Sequence, residues 1–284
     1  MEKHFRKITW GDLQHIYSWL DERDYLRREG FLENMIYRGL AYGVDVDGNI
    51  EAIGIIYPVD SLAWLMGARV RSDMRRKGIG RFMTEKLIEE AKERGFREVA
   101  LLTSKYNTPV HKISESLGMR RILQLVSIGF SHKYTSVFYT FNKKIIYLHN
   151  DDKDMIFRNL IREYPLLPLS PGGGVWGLNS YVLDKVKDEL YVCGDLSSIY
   201  AISFSGCSWI PENSCRNSLG IIFIGRGDMD LLKTISCISE TSLSEDSPEI
   251  IIWFKEDMYN NDFIERIESL GRWSWRSYVY YMDL

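Results

Sequence analysis

Apolar and polar positions switch between two periods along residues 1–145, and the switches mark the elements. His4–Ile8 reads as a short strand. Thr9, with Asp12 three residues on, signals a helix start, and Leu13, Ile16, Tyr17 and Leu20 then share one helical face. A second helix is predicted over Glu22–Tyr37, interrupted near Gly30. Leu40–Val46 and Ile50–Tyr57 flank Asp47-Gly48, a hairpin signal. Ser61–Val70 is the next strand. The clearest helical stripe follows, with Ile79, Phe82, Met83, Leu87, Ile88 and Ala91 on a helix Ile79–Arg94 that Gly95 ends. Glu98–Thr103 predicts a short buried strand, Thr108–Leu117 a helix stopped by Gly118, and Ile122–Phe130 with Tyr134–Phe141 a pair of strands. This order predicts an α/β domain with a mixed sheet.

The pattern returns in the second half. Arg97–Met119 and Pro248–Trp273 share a Glu, an apolar strand, a polar loop with Asn, an amphipathic helix and an ES-L-G tail. Upstream, Leu190–Cys193 and Ile199–Phe204 flank a turn. Leu219–Ile224 leads through Gly225-Arg226-Gly227-Asp228 into a predicted helix, Met229–Ser239. The final stretch, Ser274–Asp283, alternates aromatic residues and is expected to complete the second sheet. The join falls near Tyr147–Asp154, and Pro165–Gly177 reads as a connecting loop.

Composition narrows the class. The 284 residues are 45% hydrophobic and 26% charged, ordinary for a globular protein. No run is long enough to span a membrane, and MEKHFRKITW lacks the apolar core of a signal peptide, so a cytoplasmic location is expected. The four cysteines form no C-x-x-C pair and the five histidines no H-E-x-x-H, so no metal site is expected. The net charge of −3 conceals an asymmetry: residues 1–150 are cationic in excess and residues 151–284 acidic. The basic half suits a polyanionic small molecule; its charge is too weak and too dispersed for nucleic acid.

Candidate chemistry concentrates at Val70–Gly80, VRSDMRRKGIG, between a strand and a helix. Unpaired amides and the dipole at a helix start favour an anion, Gly78 and Gly80 permit close approach, and Arg75, Arg76, Lys77 and Arg81 add positive charge. Neither G-x-G-x-x-G nor G-x-x-x-x-G-K-[ST] is present, which argues against a dinucleotide or P-loop site. In the second half, Asp228 and Asp230 stand where phosphates would bind in the first and would repel them.

With that turn in its strand–helix context, the first half resembles the GNAT N-acetyltransferase superfamily. The family hallmark [RQ]-x-x-G-x-[GA] is met by Arg75-Arg76-Lys77-Gly78-Ile79-Gly80. Val70 keeps its place, Ser72 stands for the family's Pro, and a later motif is kept in part by Asn107, Gly118 and Met119. The resemblance covers about residues 3–145. With the repeat, it implies two GNAT-like domains, each a mixed, mostly antiparallel sheet flanked by helices. Residues 1–146 would bind acetyl-CoA, and residues 147–284 would be a degenerate copy without the phosphate signature.

The resemblance implies acetyl-CoA as donor and a primary amine of a small molecule, peptide or protein as acceptor, with direct attack in a ternary complex. The acidic second half suits a cationic acceptor. Pyrophosphate would rest on the amides of Arg76–Arg81, including Lys77, Gly78, Ile79 and Gly80. The pantetheine arm would pair with Arg69, Val70 and Arg71, where the family's fourth strand is bulged, and Asn107 would reach that arm or orient its helix. A main-chain N–H near Val70 would serve the oxyanion. Catalytic groups are less evident. Ser114 stands at the position of the family's tyrosine acid, His111 is a candidate base, Tyr106 a substitute acid, and Trp64 a candidate for the acceptor pocket. The strand Leu62–Ala68 has no carboxylate. A catalytically degenerate acyl-CoA-binding sensor or scaffold is therefore the alternative.

Overall fold

The structure is a computed structural model that describes residues 2–59, 61–130, 145–146, 190–195, 198–205, 218–223, 249–271 and 273–284. The expected strand Tyr134–Phe141, the join, the Pro165–Gly177 loop, the Gly225–Asp228 turn and the helix Met229–Ser239 lie outside the described residues. The chain divides into two compact units. The first runs to Ile122 and includes Tyr278–Leu284; the second takes residues from Leu123 to Ser277.

In the first unit β1 (His4–Lys7), β2 (Ala41–Val46), β3 (Asn49–Val59) and β4 (Leu62–Val70) are antiparallel neighbours. β5 (Glu98–Ser104) returns parallel to β4 after the crossover helix α3 (Ile79–Glu93). The β2–β3 turn sets Asp47 at φ 52° and Gly48 at φ 86°, the left-handed pair that a tight hairpin requires. The helix expected over Glu22–Tyr37 starts later, as a 3-10 turn Tyr25–Gly30 followed by α2 (Phe31–Tyr37), with Gly30 at φ 72° between them. The first helical segment begins as its sequence predicts. The Asp12 carboxylate accepts from the Thr9 amide at 2.8 Å, and α1 (Leu13–Trp19) follows. Arg6 binds the same carboxylate through both terminal nitrogens, at 2.9 and 2.8 Å, and holds it well below the usual carboxylate range.

The core lies between α3 and the sheet. Ile79, Met83, Leu87 and Ala91 pack on Val44, Val46, Ala52, Ile56, Ala63 and Leu65. Gly54 allows that approach, since a Cβ there would lie 2.7 Å from Leu87 Cδ1. β4 carries a bulge: Ile53 pairs with Arg69 and Ile55 with Met66, so β4 spends one residue more than β3. Gly67, at φ 66°, absorbs it. The pairing of β4 with β5 runs only from Leu62–Glu98 to Leu65–Leu101. Past that point, among the described residues, Met66–Val70 has no strand partner on its β5 side.

The last strand corrects an expectation. β12 (Trp273–Asp283) reaches the second unit only through Ser277; Tyr278–Asp283 belongs to the first unit and lies beside β5. The cause is its alternating pattern. Tyr278, Tyr280, Met282 and Leu284 enter the α3 core cluster, and the Leu284 amide donates to Arg97 O at 2.9 Å. In return β6 (Arg120–Phe130), which follows α4 (Thr108–Ser116), leaves the first unit at Leu123. It pairs antiparallel with β11 (Glu249–Lys255), from Leu125–Lys255 to Phe130–Ile250.

In the second unit β7 (Ile145–Ile146), β8 (Leu190–Asp195), β9 (Ser198–Ser205) and β10 (Ser218–Phe223) are antiparallel in turn, and β10 is parallel to β11. These directions repeat those of β1 to β5. α5 (Asn261–Leu270) is capped by Asn260 Oδ1, which accepts from the Phe263 amide at 2.8 Å. Among the described residues no helix is long and apolar enough to cross a membrane.

Candidate functional site

The glycine-rich turn is built as an anion cradle. Arg76 (φ 61°) and Gly78 (φ 74°) are both left-handed, which turns successive amides outward. Among the described residues the amides of Arg76, Lys77 and Gly78 have no main-chain acceptor. The first-turn amides of α3 add to them, and the first bond of the helix is Phe82 N to Gly78 O at 3.1 Å. A Cβ at Gly80 would lie 3.6 Å from Val70 Cγ2 and 3.7 Å from Ile113 Cδ1. The glycine therefore leaves a shallow floor between β4 and α4.

The predicted basic residues divide by what they do. Arg75, Arg76 and Lys77 are exposed around the turn. Arg75 Nε donates to Val70 O at 3.2 Å, and Lys77 Nζ lies 3.3 Å from Met74 Sδ. Arg81 donates to Ser116 Oγ at 2.6 Å and ties α3 to α4. Ile79 is buried and anchors the helix start. Sequence reasoning missed Lys3. A Cβ on Gly78 would lie 3.5 Å from Lys3 Nζ, which stands over the Phe82 ring 5.6 Å from its centroid. Nothing local signals this, because β1 brings Lys3 to the turn.

Arg69 and Arg71 contribute main chain rather than free charge. Arg69 Nε donates to Asp24 at 2.6 Å, and its guanidinium stacks on Tyr25, 5.3 Å from the ring centroid. Burial raises the Tyr25 phenol to about 12. Arg71 donates to both oxygens of Asp73, at 2.6 and 2.7 Å, and its Nη1 to Glu51 at 2.9 Å. The Asp73 bond raises the Arg71 pKa and lowers that of Asp73. With the β4 bulge upstream, Arg69–Arg71 has no strand partner on its β5 side among the described residues, where Val70 O accepts from Arg75 Nε. Asn107 is oriented by its own amide, whose nitrogen donates to Thr103 Oγ1 at 3.0 Å.

The two catalytic candidates do not hold. Ser114 is 0% exposed, and its Oγ is sealed without a hydrogen-bond partner among the described residues. A hydroxyl enclosed on the core side of α4 cannot reach a leaving sulfur. His111 has both ring nitrogens engaged, Nε2 with Lys105 O at 3.0 Å and Nδ1 with Tyr280 Oη at 3.2 Å. It is a strut between α4 and β12, with no nitrogen left to act as a base. Trp64, only 1% exposed, is core. Tyr106, by contrast, stands 78% exposed in the β5–α4 loop.

Residues 4–119 match the model of the Acetyltransferase (GNAT) family. This part of the chain is a GNAT domain. The fold likeness extends further. A putative acetyltransferase from Thermoplasma acidophilum superposes with a TM-score of 0.59 at 11% identity, over 99% of this chain and 100% of that one. A GCN5-related N-acetyltransferase from Sphaerobacter thermophilus gives 0.58 at 11%, over 99% and 95%. One from Kribbella flavida gives 0.51 at 12%, over 99% and 72%. At these identities the likeness is one of fold. No curated protein matches the chain. The GNAT domain supplies the turn, the bulged β4 and α4; the β5 neighbour Tyr278–Asp283 comes from outside the matched residues.

Proposed function

We propose that the chain is an acetyl-CoA-dependent N-acetyltransferase acting on a primary amine of a small molecule, peptide or protein. The observation that carries this reading is the cradle at Arg76–Arg81: two left-handed residues, a run of unpaired amides and three exposed cations at the start of a long helix. A pyrophosphate would be held by those amides, with Lys3, Arg75, Arg76 and Lys77 around it. The β5-side edge of Arg69–Arg71, which lacks a strand partner, would take the pantetheine amides as a short strand pair, and Asn107 would bound the arm from the α4 side. The coenzyme supplies the thioester. The chain's own contribution is to fix that thioester beside the bulge, where a β4 amide can face a developing oxyanion. The second unit, which repeats the strand directions of the first, is read as a degenerate copy, and the compartment as the cytoplasm.

The experiment is calorimetric titration with coenzyme A and acetyl-CoA, beside Gly78→Glu. The wild type should bind both, and the variant should bind neither while keeping its circular dichroism spectrum. Binding by Gly78→Glu with undiminished affinity would overturn this site. A second reading, an acyl-CoA-binding sensor without chemistry, is favoured by the sealed Ser114 and the fully engaged His111. Coenzyme A binding without thiol release in the presence of any amine would decide for it.

A further inference from the structure

Acetylation of an amine, the function proposed for this chain, has one chemical need that the cradle and its neighbours do not meet. An aliphatic ammonium, with a pKa near 10.4 for a lysine-like amine, must lose a proton before its nitrogen can attack. β4 has no carboxylate, Ser114 is sealed and His111 is engaged. The sheet face opposite α3, however, holds a charged pair that none of these roles uses.

Glu51, on β3, is 5% exposed, and its side chain packs toward α1. Its neighbour Ala52 faces α3, so the strand alternation turns Glu51 to the other face. Arg71 Nη1 lies 2.9 Å from both carboxylate oxygens and donates to Oε1, and Oε2 has no hydrogen-bond partner among the described residues. His15, on α1, brings Nε2 to 3.6 Å from Glu51 Oε1 without bonding it, and that nitrogen too lacks a partner there. A buried carboxylate oxygen held by ion-pair contact alone, beside a buried imidazole nitrogen without a hydrogen bond, is an exception to the rule that buried polar groups are hydrogen-bonded. Glu51 and Asp73 both bind the guanidinium of Arg71.

We propose, resting on the acetyltransferase reading, that His15 is the proton acceptor for the amine substrate and that Glu51 is its positioning residue. The register brings the pair to the reacting strand: Arg71 N donates to Glu51 O at 2.9 Å, and Ala52 lies opposite Val70, on the β3 side of β4. His15 is reachable, with 29% of its side chain exposed. Glu51 draws the Nε2 proton and leaves Nδ1 to accept. The ammonium gives one proton to His15. The nitrogen lone pair then forms the C–N bond, the C–S bond breaks with its electron pair on sulfur, and the second N–H proton goes to that sulfur. The imidazolium is held by Glu51 until it returns its proton to water.

The test uses the full chain, acetyl-CoA and four amines: spermidine, lysine, tyramine and an alanyl tetrapeptide. Thiol release gives kcat/KM from pH 6 to 10, and calorimetry gives the coenzyme A Kd. With the best amine, His15→Gln should lose about 10²-fold to 10⁴-fold in kcat/KM at pH 7. Its Kd should stay within about twofold of the wild type, and its deficit should shrink toward pH 10, where a much larger share of the amine is neutral than at pH 7. Glu51→Gln should lower kcat severalfold with KM and the coenzyme A Kd unchanged, a split that simple loss of packing does not produce. Turnover by His15→Gln within about threefold of wild type with an unaltered profile overturns the proposal. So does a wild type that binds coenzyme A yet acetylates none of the four amines. A wild type that does not bind coenzyme A overturns the parent reading instead.

Discussion

The hydroxyl of Tyr280 lies 3.2 Å from Nδ1 of His111, across 169 residues of sequence. The same hydroxyl donates to Glu115 Oε1 at 3.0 Å. One phenol, supplied by β12, therefore joins two side chains one turn apart on α4. Burial, with the Glu115 bond second, raises it to about 12. Tyr280→Phe keeps the packing and removes the hydroxyl, leaving two polar partners unsatisfied. The expected loss is about 1–2 kcal/mol in urea unfolding. Deleting residues 278–284 also removes Met282 and Leu284 from the core. That variant should lose the cooperative melt of the first unit and all thermal protection by coenzyme A.

Ser114→Ala gives the opposite sign. The buried hydroxyl without a partner is a desolvation cost that the folded state carries. Its removal should leave stability unchanged or raise it by about 1 kcal/mol, with turnover within about twofold of wild type. A fall of more than about 1 kcal/mol in urea unfolding would show that the hydroxyl is bonded in solution.

At Arg76 stability and binding should separate. A non-glycine residue at φ 61° costs about 1–2 kcal/mol. Arg76→Gly should relieve much of that and raise the melting temperature by a few degrees. The lost charge should weaken coenzyme A binding severalfold and flatten its dependence on salt. Arg76→Lys keeps both strain and charge and should resemble the wild type in both measurements.

Asp12 sets an acid limit. Its pKa in the folded protein is depressed, first by the hydrogen bond from Arg6. Such a group adds stability that is fully present above its unfolded value, about 3.9, and is lost as pH falls toward the folded value. Asp12→Asn should therefore cost about 1 kcal/mol at pH 7. The gap to wild type should narrow progressively as pH falls below about 4. Urea midpoints at pH 7, 4 and 2.5 measure this, and a gap that stays constant would remove Asp12 from the acid transition.

Local chemistry is legible in the sequence and long-range pairing is not. The Asp47-Gly48 hairpin, the α3 stripe and the Arg75–Gly80 turn each follow from residues adjacent in sequence. Their conformations are fixed by sterics within a few bonds. The helix over Glu22–Tyr37 starts later than its pattern predicts, because the Asp24 carboxylate holds Arg69 and the segment is pulled into a 3-10 turn. The pairing of Ile122–Phe130 with β11 is hidden for another reason. Its alternation fits any antiparallel neighbour, and β11, far along the chain, supplies one. At the site, Lys3 and the His15–Glu51 pair carry no local signature, since three separate elements bring them together. Ser114 aligns with a family tyrosine by spacing alone, and spacing does not report which side of α4 faces the core.

The strand reaching the first unit from Tyr278 onward also sets an order of events during synthesis. His111 emerges from the ribosome 169 residues ahead of the phenol that braces it. At the usual pace of translation that is a wait of roughly 10–30 s. Throughout it, the open flank of β5 offers unpaired main-chain groups to whatever strand is nearest. The nascent half can bury Leu87 against Gly54 early, but it cannot close its sheet. Mature protein should then accumulate more slowly than the chain is made, and a chaperone that shields an open strand edge should shorten the lag.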